Sequence, residues 1–76
     1  MDDVPEEVTH WCERFAAAAG VDPPSTQEVN DLLALAAIAA HASARQAAPI
    51  TCWLAARGSM TLDAALEAAQ SIEGAA

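Results

Sequence analysis

Apolar residues recur at intervals of three and four along most of the chain, which is the period of an amphipathic helix. No stretch alternates apolar and polar residues in the manner of a half-buried strand. The pattern therefore predicts an all-α protein, a compact four-helix bundle with a short third helix, formed as one domain over residues 1–76. We expect its helices near residues 4–19, 26–44, 49–57 and 61–73.

Capping residues mark the first two helices. Asp2 or Asp3 is expected to cap the first helix, with Pro5 in its first turn. Gly20 suits the left-handed position that ends this helix. Ser25 and Glu28 have the spacing of a capping box, in which each side chain accepts a backbone N–H of the other residue. They predict the start of the second helix.

Two further signals place the remaining helices. Pro49 is expected at the start of the third helix, because proline disfavours helical geometry in the residue before it. Ser59 or Thr61 is expected to cap the fourth helix. Residues 74–76 are expected to fray at its end.

The chain contains 21 alanines, each of which buries little area, so larger apolar side chains are expected to form the core. The second helix is apolar around nearly its whole circumference after Asp31, which predicts a central position. Trp53 is expected in the core, with the alternative that it forms an exposed binding patch with Ile50 and Leu54. The expected core residues are Trp11, Phe15, Leu32, Leu33, Leu35, Ile38, Trp53, Leu54, Leu62, Leu66 and Ile72.

Charge and hydropathy disfavour several classes of partner. Three arginines against eleven acidic residues give a formal net charge of −8, which repels nucleic acids and anionic membranes. The longest apolar run, residues 32–40, is too short to span a bilayer. The chain begins with acidic residues, unlike a secretory signal, so we expect a cytoplasmic protein with reduced cysteines.

The chain has two histidines and two cysteines, a nominal set of zinc ligands. His10 and Cys12 are two residues apart and point to different sides of one helix, while His41 and Cys52 stand alone. We therefore expect no metal and no cofactor. A thiol enzyme centred on Cys52 is the least favoured alternative, since no acid–base residue accompanies that cysteine.

The most distinctive chemistry lies between residues 41 and 54. His41 and Arg45 are four residues apart and share one face of the predicted second helix. One interpretation is that these cations offset the negative end of the helix dipole, as Arg57 would for the third helix. The alternative is a pocket for an anion or small molecule, completed by free N–H groups of Thr51 and Cys52.

The same segment resembles a family of small all-helical domains of unknown function from high-GC actinobacteria. In that family a histidine near the end of an alanine-rich helix is followed by Arg-Pro-Ala-Ala-Pro-Leu-Thr and an aromatic-Leu pair. This chain has His41, then Arg-Gln-Ala-Ala-Pro-Ile-Thr over residues 45–51, and Trp53-Leu54. Trp11 and Gly-Val-Asp at residues 20–22 are also similar to the opening of that family.

Members of that family occur alone or appended to nucleotidyltransferases of molybdenum-cofactor maturation. The resemblance implies an accessory role in that pathway and no catalytic residue. We therefore expect a non-enzymatic module that binds a protein partner, such as this nucleotidyltransferase. Because so small a core leaves apolar surface uncovered, we also expect a homodimer. The alternative is a small-molecule or anion-binding protein. The candidate binding residues are His41, Arg45, Pro49, Ile50, Thr51 and Trp53.

Overall fold

The computed structural model describes residues 4–75, and this part of the chain contains helices and no strands. The prediction of an all-α four-helix bundle is confirmed, and the third helix is the shortest. The helices are α1 (Glu6–Ala19), α2 (Thr26–Ala42), α3 (Ala47–Arg57) and α4 (Leu62–Ala75).

The first helix begins after Pro5, whose extended backbone occupies the N-cap position without a side-chain hydrogen bond. The predicted caps, Asp2 and Asp3, lie outside the described residues. Glu6 and Glu7 fill the first turn, where their negative charge favours the positive end of the helix dipole. Among the described residues, an extended proline and two acidic residues thus mark the start of α1.

The end of α1 forms as predicted. Gly20 adopts a φ of 74°, in the left-handed region that residues with a Cβ rarely occupy. The N–H of Gly20 donates to the carbonyl of Ala17 at 3.2 Å, and the N–H of Val21 donates to that of Ala16 at 3.0 Å. These two bonds make a Schellman ending, which satisfies the last carbonyls of the helix.

The second helix lies at the centre of the bundle, as its apolar circumference predicts. Its capping box is confirmed: the N–H of Glu28 donates to Ser25 Oγ at 3.1 Å, and the N–H of Ser25 donates to Glu28 Oε1 at 2.7 Å. Both α3 and α4 pack against α2. Leu35, near the middle of α2, is only 1% exposed.

The junction between α2 and α3 differs from the prediction. The second helix ends at Ala42, two residues early, and the third begins at Ala47 instead of Pro49. In the turn between them, the N–H of Ala47 donates to the carbonyl of Ala44 at 2.8 Å. Pro49 fits the third helical position because the first turn has no intrahelical N–H bond to lose. The residue before proline is therefore helical, against expectation.

The fourth helix begins at the predicted cap and extends further than predicted. Thr61 Oγ1 accepts the N–H of Ala64 at 3.1 Å, which makes Thr61 the cap. Ser59, the other candidate, lies in the preceding turn with a φ of 55°. The helix continues through Gly74 to Ala75, two residues beyond the predicted end at residue 73.

The core consists of small side chains around one leucine. Leu35 of α2 packs with Ala55 of α3 and Ala65 of α4, and Cys52, Leu66 and Ala69 cover this cluster. The expectation that large side chains fill the core is correct for Leu35 and wrong for several others. Alanine faces let the helices approach closely and leave no room for an indole ring between them. The expected core residues that are exposed are Trp11, Phe15, Leu33, Trp53, Leu54 and Ile72.

Candidate functional site

One side of α3 presents a continuous apolar stripe to solvent. Ile50, Trp53, Leu54 and Arg57 follow one another at helical spacings of three, one and three residues, which places them on one side of the helix. All four are exposed, and Trp53 is 60% exposed. Ala55, on the other side of α3, is buried in the core. We call these four exposed residues the α3 surface.

An arginine contacts the tryptophan of the α3 surface. The Arg57 guanidinium lies over the Trp53 ring, 5.1 Å from its centroid. This is a cation–π contact between residues one helical turn apart. Arg57 also lies in the last turn of α3, where its charge offsets the negative end of the helix dipole. The indole is therefore exposed and has a cation over its ring.

The charges of the chain are divided between its segments. No acidic residue occurs between Asp31 and Asp63, whereas Arg45 and Arg57 both lie in this interval. All eleven acidic residues lie outside it. The α3 surface is thus an apolar area with positive charge on its own segment, in a chain whose net charge is −8. Such a surface favours a partner that combines apolar and acidic residues.

The sequence-predicted site residues lie on three separate elements. His41 lies in the last turn of α2, as predicted. Arg45 lies in the turn beyond the end of α2, so it does not share a helical face with His41, and that prediction is wrong. Among the described residues, none of the side-chain hydrogen bonds involves His41 or Arg45. The arginine that contacts Trp53 is Arg57, whereas the sequence predicted Arg45 as the arginine of the site.

The other candidates lie on α3 itself. Pro49 and Ile50 are exposed in its first turn, and Thr51 is half-buried. The predicted free N–H groups of Thr51 and Cys52 are absent, because α3 begins at Ala47 and both residues lie beyond its first turn, where N–H groups donate within the helix. The N–H groups of Thr51 and Cys52 are therefore not free to bind the anion of the predicted site.

Cys52 faces the core cluster beside Ala55. Burial raises the pKa of its thiol above the ordinary cysteine value, because removal from water disfavours the thiolate. A nucleophilic cysteine requires the opposite shift. The thiol at this position is therefore poorly prepared for nucleophilic attack.

Alkylation of Cys52 is expected to require alkaline conditions. In a Cys12→Ser variant, whose remaining thiol is Cys52, the rate of iodoacetamide labelling should reach its midpoint above about pH 8.5, the ordinary thiol value. The same variant unfolded in urea should return to that ordinary value, because the burial is lost. A labelling midpoint below the ordinary thiol value in the folded protein would contradict this prediction.

The sequence of the chain matches a known family. The model of one protein family, described as Domain of unknown function (DUF6457), matches residues 3–76. The chain belongs to this family. The small domain of unknown function that the sequence resemblance predicts is thereby confirmed. No curated protein and no solved structure matches the chain.

The DUF6457 domain contains a groove that the sequence pattern did not predict. It has a volume of about 690 Å³ and lies between α1, the start of α2 and the connector that joins them, residues 20–25. Its walls include Val8 and Cys12 of α1, and Pro23 and Pro24 of the connector. Neither His41 nor Arg45 lines it. The only sequence signal for this groove is the proline pair, which holds the connector extended beside the helix.

The contact between Trp53 and Arg57 on α3 of the DUF6457 domain could have been predicted from the spacing of the two residues. Trp53 and Arg57 are four residues apart, a distance at which helical side chains meet.

Within residues 4–75, no group of three or more His, Cys, Asp and Glu side chains is placed to hold a metal ion. In the same range, no helix combines the length and the apolar character needed to cross a membrane.

Proposed function

We propose that this DUF6457 chain is a non-enzymatic, cytoplasmic interaction module that binds a protein partner through the α3 surface. The observation that carries the proposal is the exposed, arginine-stacked indole of Trp53 between two exposed aliphatic side chains. Tryptophan and arginine are the residue types that contribute most to binding energy at protein interfaces. A tryptophan held on the outside of a small domain is well suited to this role.

The partner in this proposal is a nucleotidyltransferase of molybdenum-cofactor maturation. The resemblance of residues 41–54 to domains appended to such enzymes supports this choice. Arg45 and Arg57 on the acid-free segment favour a docking site on the partner that carries acidic residues beside apolar ones. The module then acts by positioning the enzyme or its client, a role that requires no catalytic residue of its own.

Calorimetric titration with a purified nucleotidyltransferase tests the proposal. We expect Trp53→Ala to raise the dissociation constant about thirtyfold, since truncating a central aromatic anchor at an interface costs about 2 kcal/mol or more. Arg45→Ala should mainly slow association, because charges at the rim of an interface steer the encounter. Leu33→Ala, which truncates an exposed leucine on α2, is the matched control and should bind like the unmodified chain.

Two results would count against the proposal. Undiminished binding by the folded Trp53→Ala variant would remove the α3 surface as the docking site. Failure of the unmodified chain to bind any such nucleotidyltransferase would remove this enzyme as the partner. Circular dichroism of each variant confirms that it is folded.

A further inference from the structure

A second apolar face is exposed on α1. Trp11 and Phe15 are 59% and 61% exposed, and Val8 is partly exposed beside them. The two aromatic rings contact each other, with centroids 6.2 Å apart. On α1 only Ala16 is fully buried. Within residues 4–75, the main helix interfaces join α2 to α3 and α4, and neither of these interfaces covers the aromatic face of α1.

The surface area of the chain indicates how much a partner should cover. The accessible surface is 5873 Å² for a mass of 7.8 kDa. A compact monomer of this mass exposes about 4,400 Å², so the chain has a surplus of roughly 1,500 Å². A stable protein–protein interface buries about 800 Å² on each partner. The surplus is therefore large enough for a stable dimer interface.

The exposed residues of α1 follow a heptad spacing. Val8, Trp11, Phe15 and Ala18 are separated by three, four and three residues, which are the intervals between the a and d positions of a coiled coil. In this register Glu7 and Arg14 both occupy the g position. Residues at g border the apolar seam and form ion pairs between helices, which set the partner and its orientation.

The two g residues favour a second copy of the chain in the antiparallel direction. In a parallel pair, g residues meet the e positions of the other helix, which here are Cys12 and Ala19 and carry no charge. In an antiparallel pair related by a two-fold axis, g residues meet g residues. Glu7 of each copy then faces Arg14 of the other, so one contact is formed twice.

We propose that two copies of this chain associate through antiparallel pairing of their α1 helices, with the axis passing near Trp11. The aromatic face of α1 forms the seam, and two reciprocal Glu7–Arg14 ion pairs border it. This contact leaves the α3 surface free, so it is independent of the proposed function. The other two acidic residues of α1, Glu6 and Glu13, occupy the f position on the outside of such a pair.

Sedimentation equilibrium of the full chain tests this proposal. We expect twice the 7.8 kDa mass of one chain, and a return to the single mass for Trp11→Ala at concentrations where the unmodified chain is dimeric. Trp11→Ala should weaken association at least about thirtyfold. Because Trp11 is exposed in the single chain, this variant should keep its helical circular dichroism. Trp53→Ala should remain dimeric.

Charge reversal identifies the pairing direction. Arg14→Glu and Glu7→Arg should each weaken the dimer about tenfold, because each places like charges together at two symmetric positions. The double variant Glu7→Arg with Arg14→Glu should recover the original affinity. Glu13→Arg, which changes the charge by the same amount at an outward position, is the matched control and should remain dimeric. A monomeric chain, a dimer insensitive to Trp11→Ala, or a double variant that fails to recover would overturn the proposal.

Discussion

Leu35→Ala is expected to remove about 3 kcal/mol from the free energy of unfolding. Leu35 is 1% exposed and is the one large side chain that is fully buried among the described residues. Its truncation leaves a cavity between α2, α3 and α4, and such changes cost about 2–5 kcal/mol. A domain of 76 residues has a total stability of about 4–11 kcal/mol. The variant should therefore be largely unfolded at moderate urea concentrations.

Urea denaturation followed by circular dichroism, at one protein concentration, measures this effect. Leu33→Ala makes the same chemical change two residues away on α2, at a side chain that is 54% exposed. It should cost less than about 1 kcal/mol, because little buried area is lost. Equal destabilisation by the two variants would show that Leu35 is not the centre of the core.

The order and type of the helices follow from sequence pattern, and α2 shows why. Its apolar residues cover nearly all sides, and the structure uses those sides to pack both α3 and α4. The capping box at Ser25 and the glycine ending of α1 are local features, so their geometry could be predicted without tertiary information. The start of α3 could not, because the rule for residues before proline does not distinguish the first turn of a helix from its interior.

The composition of the core could not be predicted from side-chain size. Ala55 and Ala65 are buried, whereas Trp11 and Trp53 are exposed. A helix with apolar residues on two sides offers either side to its neighbours, and the sequence pattern does not say which one packs. Here the side with small residues packs, because small side chains allow helices to approach closely. The sides of α1 and α3 that carry Trp11 and Trp53 are therefore left exposed.

The candidate site was therefore predicted in part. The segment of residues 41–54 contains Ile50 and Trp53, which belong to the α3 surface, but its His41 and Arg45 lie outside α3. Arg57 is the residue that contacts Trp53, although its position at the end of α3 suggested only an interaction with the helix dipole. Spacing along a helix identifies which residues can meet, whereas the helix boundary at Ala42 decides that His41 and Arg45 do not share a face.

Ala55→Leu is expected to destabilise the chain by about 1–3 kcal/mol, although it adds apolar volume to the core. Ala55 lies against Leu35 and Ala65 where three helices meet, and additional methyl groups there force the helices apart or the side chains into strained rotamers. Thermal unfolding should show a melting temperature lower by about 4–8 °C for each kcal/mol.

Ala56→Leu is the matched control for this variant, because it makes the same change on the next, exposed residue of α3. It should alter the free energy of unfolding by less than about 0.5 kcal/mol. The two variants have the same composition and nearly the same helix propensity, so their difference isolates close packing from hydrophobicity. Stabilisation by Ala55→Leu would mean that the core contains unfilled space and that α3 and α2 are held apart by something other than their alanine faces.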